Sequence, residues 1–372
     1  MNFKRTLIAT ALLGAIGASA YAEDSAITIY GRADAAIGQD VGSAVTGLRQ
    51  GKGSLLGFKG NENLGSGYYV GWDLQSTVNL PNGAAGLIGN GTTNTPNQTL
   101  LFDADTIVKI GNDYGWIDAG RRLTPAWKVS INGDPWETYG GYVTHNNNGL
   151  HANHLFTSAR FQSAISANYS HDGWFASAMF AQDGKTVSFA TPPVGLGPTV
   201  VVPATVNGVA NTNGLLEMTG KRPESFSAGY NKGPLYAGLG YEKTPYNSSM
   251  VTGTVNYDFG FVLLRAGVET GSHKRVVDNV EDVKATNYII GATVPYGNGQ
   301  LMFSYDALNT KVLNASGSGM SSYNVYPWTS RKLGAGYQYF MSKRTWLYVD
   351  IAHDTKATVR ATGWDMGIVH HF

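Results

Sequence analysis

Gly363-Trp364-Asp365-Met366-Gly367-Ile368-Val369-His370-His371-Phe372, the last ten residues, is the stretch whose reading decides the fold. Trp364, Met366, Ile368, His370 and Phe372 alternate with Asp365, Gly367, Val369 and His371, the period of two that belongs to a β-strand. With no residues after it, this strand must find its second neighbour elsewhere or leave a row of unpaired N–H and C=O groups. Pairing with the first strand closes a barrel and removes that edge. Its large apolar and aromatic side chains share one face and its small or polar ones share the other. A water-soluble barrel packs apolar groups inside; here the aromatic-rich face is expected outside and the interior is expected to be wet.

Working outward, Met1 to Ala22 reads as a secretory signal peptide: Lys4 and Arg5 supply the charged region, Leu7 to Gly17 the apolar region, and Ala20-Tyr21-Ala22 the cleavage site. The expected mature chain, residues 23–372, forms a single barrel domain. It loses two of the 27 basic residues and none of the 26 acidic ones, a near-neutral balance that gives no argument for nucleic acid as a partner. No window approaches the roughly 18 apolar residues of a membrane helix. Cysteine is absent, so an exported chain of this size relies on no disulfide. Glycine, 48 of 372 residues, and tyrosine, 21, fit tight turns, small lumen-facing positions and aromatic belts. Composition alone also fits a secreted β-sandwich or β-solenoid; the pattern along the chain separates them.

Strand-like runs come in pairs joined by short Gly, Asn and Pro-rich turns near 61–67, 112–115, 171–173, 231–234, 258–260, 295–299 and 341–344. Longer polar segments lie near 39–53, 78–99, 123–152, 183–224, 245–249, 272–284, 309–330 and 356–362. Seven turns and eight loops connect sixteen strands, so the expected fold is all-β: a 16-stranded antiparallel transmembrane β-barrel with short periplasmic turns and long extracellular loops. Phase separates wall from lumen. Ile27, Ile29, Gly31, Ala33, Ala35 and Ile37 oppose Thr28, Tyr30, Arg32 and Asp34; Val70, Trp72 and Leu74 oppose Tyr69, Gly71, Asp73 and Gln75. In the sixth strand Ile165, Ala167 and Tyr169 are in phase with Ala159 and Phe161, which assigns Arg160, Gln162 and Asn168 to the polar face. Val262, Leu264, Ala266 and Val268 oppose Arg265 and Glu269. An Arg facing lipid near the midplane costs roughly 2–4 kcal/mol, so Arg32, Arg160 and Arg265 are expected to face water. Trp174 to Gln182 is apolar on both faces and has no phase.

Four blocks carry a family resemblance. Tyr30-Gly31-Arg32-Ala33-Asp34, Ser54-Leu55-Leu56-Gly57-Phe58-Lys59-Gly60-Asn61-Glu62-Asn63-Leu64-Gly65-Ser66-Gly67, Gly120-Arg121-Arg122-Leu123-Thr124-Pro125-Ala126 and Gly367-Ile368-Val369-His370-His371-Phe372 resemble, in order, the signatures of Gram-negative general porins of the Neisseria and Burkholderia type. The resemblance implies a bacterial outer-membrane location and a homotrimer. It implies passive diffusion of ions and small hydrophilic solutes through a water-filled channel, and a third loop folded inward to narrow the barrel. Outer-membrane lipid, lipopolysaccharide and the barrel-assembly machinery are the partners it implies, with Trp364, Met366, Ile368, His370 and Phe372 forming the C-terminal membrane-insertion strand.

Carried over, the third loop spans about Leu123 to Gly149, with acids Asp134 and Glu137 and one base, Lys128. Opposed charges across a narrow aqueous neck order water and favour polar solutes. Arg32, Lys59, Arg121, Arg122 and Arg160 are the wall candidates for the pore constriction. Arg121 and Arg122 lie on opposite faces by parity unless a bulge intervenes. The alternative is that Asp134 and Glu137 merely solvate an exposed loop. Leu55 and Val369 stand on the lumen phase where the family pattern has bases, so the family's anion preference is not carried over. A second loop near Asn79 to Thr99, long and uncharged, resembles the family segment that reaches a neighbouring subunit. The fourth loop has no charge between Lys185 and Glu217, and is expected to pack over the mouth, to meet another protomer, or to have no role.

The eight histidines are scattered, and His151-Ala152-Asn153-His154 has no nearby carboxylate to complete a metal site. No nucleophile, metallohydrolase or phosphate-loop motif stands out, so the expectation is no catalytic residue, no metal and no cofactor. Two alternatives stay beside the general pore: a solute-selective channel narrowed by apolar loops, and a surface adhesin or receptor barrel.

Overall fold

The computed structural model describes residues 27–85, 101–136, 157, 159–182, 187–188, 205–206, 209–210, 215–216, 222–244, 248–274, 281–312 and 329–372. The signal peptide, Glu137 and most of the second and fourth loops lie outside the described residues.

Sixteen strands form the barrel: β1 Thr28–Gln39, β2 Ser54–Gly65, β3 Tyr68–Asn79, β4 Thr106–Asn112, β5 Gly115–Leu123, β6 Arg160–His171, β7 Trp174–Ala181 and β8 Glu224–Lys232, then β9 Leu235–Lys243, β10 Ser248–Asp258, β11 Leu263–Lys274, β12 Glu281–Tyr296, β13 Gly299–Val312, β14 Ser330–Phe340, β15 Thr345–Asp354 and β16 Thr362–His371. Each pairs antiparallel with the next. The final strand then closes on the first, from Arg32↔His371 to Gln39↔Trp364. Closure satisfies the backbone groups that bilayer hydrocarbon cannot.

Alternation sorts the side chains as the sequence predicts. Ile29, Ile117, Ile165, Leu239, Ile290 and Ile368 stand exposed on the outer wall, while Asp34, Asp118, Glu242 and Asp365 are buried on the inner one. Tyr68, Tyr114, Tyr169, Trp174, Tyr257 and Tyr296, all exposed, sit at the turn-side ends of their strands and form an aromatic girdle. The turns are tight: Ser66 and Gly67 both take positive φ (51° and 80°), the geometry that matches strand twist, so β2 runs to Gly65 and the turn is shorter than the 61–67 expected.

One phase differs from the sequence reading, and one that the sequence left open is set by the structure. Ser163 adopts φ 51° and breaks the alternation of β6, so Phe161, expected outside, turns inward and packs with Ala164, Met179 and Ala181. The same cluster phases β7: Met179 and Ala181 face in, whereas Trp174 and Phe180 are exposed outside.

The third loop enters the lumen. Thr124 caps helix α1, Pro125–Ile131, its hydroxyl accepting the Trp127 N–H at 3.3 Å with Pro at the first turn. The helix packs along the inner faces of β8, β9 and β10. It fits because the wall beneath is glycine: a Cβ on Gly240 would lie 2.8 Å from Ala126 Cα, and one on Gly238 3.2 Å from Val129 Cγ1.

Candidate functional site: the pore neck

Loop 3 is fastened to the wall at successive points. Glu242, 0 % exposed, accepts from the Thr124 hydroxyl at 2.5 Å and the Thr157 hydroxyl at 2.8 Å, holding both ends of the loop on one carboxylate. Farther along, Ser130 donates to Glu269. The Asn132 carbonyl accepts from Asn256 Nδ2 at 2.9 Å and Arg265 Nη1 at 3.0 Å, and the Trp136 indole donates to Asp350 at 2.9 Å. Pro135 lies over Gly291 and the Trp136 ring over Gly336. The described part of the loop thus crosses the lumen face from β8 to β15. Sequence reading did not single out Glu242, Asp350 or these glycines; their signal is small or acidic residues on the inner phase of strands remote from the loop in sequence.

The opposite wall is basic. β5 shifts register between Gly120 and Arg122, the bulge on which the direction of the two arginines turned. Arg121 Nε donates to the Asp103 carbonyl at 2.8 Å, and Arg122 pairs with Asp118. Arg160 Nε lies 3.3 Å from Asp105. Asp118 also accepts from Trp116 Nε1, Ser166 and Asn168 at 2.8, 2.5 and 3.0 Å, so its charge is fully occupied. Lys59 sits 4.7 Å from the centroid of the Tyr30 ring, whose hydroxyl donates to Asp73 at 2.5 Å. Lys109 lies 5.4 Å over Tyr69.

A second inward feature, absent from the sequence reading, lies against β1 and β15. Between the short strand Thr46–Arg49, which extends the pairing of β1, and β2, the segment Gly51-Lys52-Gly53 folds onto the inner wall. The N–H groups of Lys52 and Gly53 donate to the Asp34 carboxylate, Tyr348 donates to Asp34 at 2.9 Å, and the Gly51 N–H donates to the Tyr348 oxygen at 3.1 Å. Arg32 Nε reaches the Gly53 carbonyl at 2.5 Å. Arg32 is therefore both a lumen cation and a clamp on this segment. Val369 packs inward with Ala36 and Tyr348, the apolar patch expected from a missing base.

Arg121, Arg122 and Arg160 are brought together at the root of loop 3. Lys59 and Arg32 lie farther round the same wall on β2 and β1. Asp134 is 3 % exposed and accepts the Trp136 N–H at 2.9 Å, turned into the loop. Lys128 is half-buried on α1; burial first, then the Arg122 charge, push its ammonium down to about 8. Among the described residues no group of three or more His, Asp or Glu side chains could hold a metal ion.

Comparison with known proteins agrees with this geometry. Residues 9–358 match the family model described as Gram-negative porin. The chain is 24% identical to outer membrane porin protein 32 of Delftia acidovorans, over 94% of this chain and 89% of that one. It is 25% identical to an outer membrane porin of Bordetella pertussis, over 99% and 100%. Among solved structures, an anion-selective porin from Comamonas acidovorans superposes with a TM-score of 0.67 at 22% identity, covering 94% of this chain and all of that one. A trimer form of OmpT from Vibrio cholerae superposes with a TM-score of 0.61 at 10% identity, covering 94% of this chain and 100% of that one.

Proposed function

The chain belongs to the Gram-negative porin family and is an outer-membrane channel for diffusion of small solutes, and from that premise we propose that its neck lies between loop 3 and the wall carrying Arg32, Lys59, Arg121, Arg122 and Arg160. Solutes pass by diffusion alone, and anions pass more readily than cations. One observation carries this preference: most of the inner wall's acids are buried, whereas several of its bases reach the water, with Arg122, Arg265 and Lys332 buried and Asp73 and Asp105 half-buried as the exceptions. Asp34, Asp118, Glu242, Glu269, Asp350 and Asp365 are at most 4 % exposed. Lys59 is exposed, and Arg32, Lys52, Lys109 and Arg160 are half-buried. A mobile ion is steered by charges that reach the water, more than by those enclosed in hydrogen bonds. Leu55 and Val369 remove two bases from the family pattern, yet burial of the acids leaves the accessible balance positive.

Lys59→Gln together with Arg160→Gln tests the assignment. The zero-current potential under a salt gradient should move toward cations, while the rate at which a neutral sugar swells protein-loaded liposomes stays near wild type. An unmoved potential would remove these residues from the neck. Asp134 acts in this reading by shaping loop 3.

The working form is a homotrimer in contact with outer-membrane lipid and lipopolysaccharide. The barrel-assembly machinery delivers it by reading Trp364, Met366, Ile368, His370 and Phe372. Export removes residues 1–22, so N-terminal sequencing of the mature protein should begin at Glu23. The uncharged second loop, 79–99, latches a neighbouring subunit; deleting it should weaken the trimer band in unheated gel samples, and an unchanged band refutes the latch.

A further inference from the structure

The outer wall of β11–β14 carries a feature that the pore does not use. Lys284 of β12 and Lys311 of β13 are direct cross-strand partners, both exposed and both on the outward phase. Like charges placed directly opposite destabilise a sheet unless something lies between them. Around them on the same face stand Ser272, which pairs with Lys284, and Lys274, which pairs with Glu281. Lys284 is 2.8 Å from Glu281, with its side chain 56% exposed. No described carboxylate pairs with Lys311. Arg331 lies flat on this wall, donating to the Leu308 carbonyl at 2.9 Å and to Asn309 at 2.7 Å, with Ala307 buried beneath it. Four cations, Lys274, Lys284, Lys311 and Arg331, therefore gather at the loop end of these strands, where β12 begins with the acids Glu281 and Asp282.

Height identifies what meets this patch. The rise of β12 from Tyr296, in the turn-side girdle, to Lys284 comes to about 30 Å along the membrane normal at roughly 3.4 Å per residue and a tilt of roughly 40°. The apolar band of such barrels is about 25 Å tall, so the lysines stand just beyond its far edge, at headgroup level. Below them, past the pair Thr286 and Asn309, the outward face turns apolar and aromatic, with Tyr288, Ile290, Tyr305 and Leu333 all exposed. Acyl chains covering that lower face bring their own headgroup to the lysine row.

We propose that Lys284 and Lys311, flanked by Lys274 and Arg331, form a binding site for the phosphorylated headgroup of an outer-leaflet lipid. A phosphate between the two ammonium groups turns their mutual repulsion into two charge-assisted contacts, with Ser272 as a neutral donor beside them. The site rests on the outer-membrane orientation given above, loops outward. It lies on the wall remote from the pore neck, so it anchors the barrel without entering the conduction path.

Native mass spectrometry of the detergent-solubilised protein tests it, titrating with bis-phosphorylated lipid A and with its dephosphorylated form of identical acyl composition. Wild type should favour the phosphorylated form by about tenfold, K284Q/K311Q should lose most of that preference, and K284R/K311R should keep it. A double Gln variant that still discriminates, or a wild type that does not, overturns the site. Should the Gln variant fail to fold, the wild-type preference must shrink as salt rises to about 0.5 M, and indifference to salt overturns the proposal equally. Bilayer conductance of the same preparations reports the pore separately, so failure of the channel reading and failure of the lipid site are distinguishable.

Discussion

Gly291→Ala is a single added methyl that should act on the pore without touching any charge. The new Cβ would fall 2.6 Å from Pro135 Cδ and closer still to Pro135 Cγ. Carbon atoms rest at about 3.5–4.0 Å, so Pro135 must retreat by about 1 Å or more into the lumen. Trp136 follows Pro135 directly, and its indole bond to Asp350, now 2.9 Å, would stretch beyond hydrogen-bond range. Losing a hydrogen bond to a carboxylate costs about 1.5–3 kcal/mol, which raises the population with a detached loop tip roughly tenfold to a hundredfold. In planar bilayers the variant should show a smaller main conductance and more frequent current flicker. Gly253→Ala is the control: it lies on the outward phase, near Leu239 and Val268. If Gly291→Ala conducts with wild-type amplitude and quietness, loop 3 does not lie on the wall as described.

Glu242→Gln keeps the shape and an acceptor but removes the charge behind the bonds from Thr124 and Thr157, a loss of about 2 kcal/mol for the pair. It should raise flicker by unlatching the root of the loop, with barrel heat-modifiability intact; a silent variant would show that the loop is held elsewhere. Lys128 gives a pH effect of defined sign. Its lowered value means the ammonium is charged below about 8 and neutral above it. Anion preference should therefore fall as pH rises through that value, and Lys128→Gln should flatten the change in the same window. A wild-type zero-current potential constant from pH 6 to 9 would remove Lys128 from the ion path.

The barrel was legible because its signal is repeated and local. The alternation of Trp364, Met366 and Ile368 against Asp365, Gly367 and Val369 depends only on one strand having a wet side and a lipid side. Phe161 and β7 were misread or unreadable for one reason: loop 3 and a bulge at Ser163 make part of the inner face apolar, so the wet-or-greasy criterion has no contrast there. The neck was legible on its basic side, where Arg121, Arg122 and Arg160 fall close to the loop's own sequence block. Its other side is built by Glu242, Gly291 and Asp350, which meet loop 3 only after closure brings β9, β12 and β15 around one lumen. Asp134 shows the limit of reading charge as exposure: an acid two residues before a buried Trp served that residue's N–H instead of the water.

The most direct test of the account is the zero-current potential of the refolded wild-type protein in a planar bilayer under a potassium chloride gradient, recorded with single-channel steps. The account predicts ohmic openings and a potential of the sign given by chloride crossing more readily than potassium. A cation-favouring potential, or a barrel that inserts and does not conduct, would contradict it.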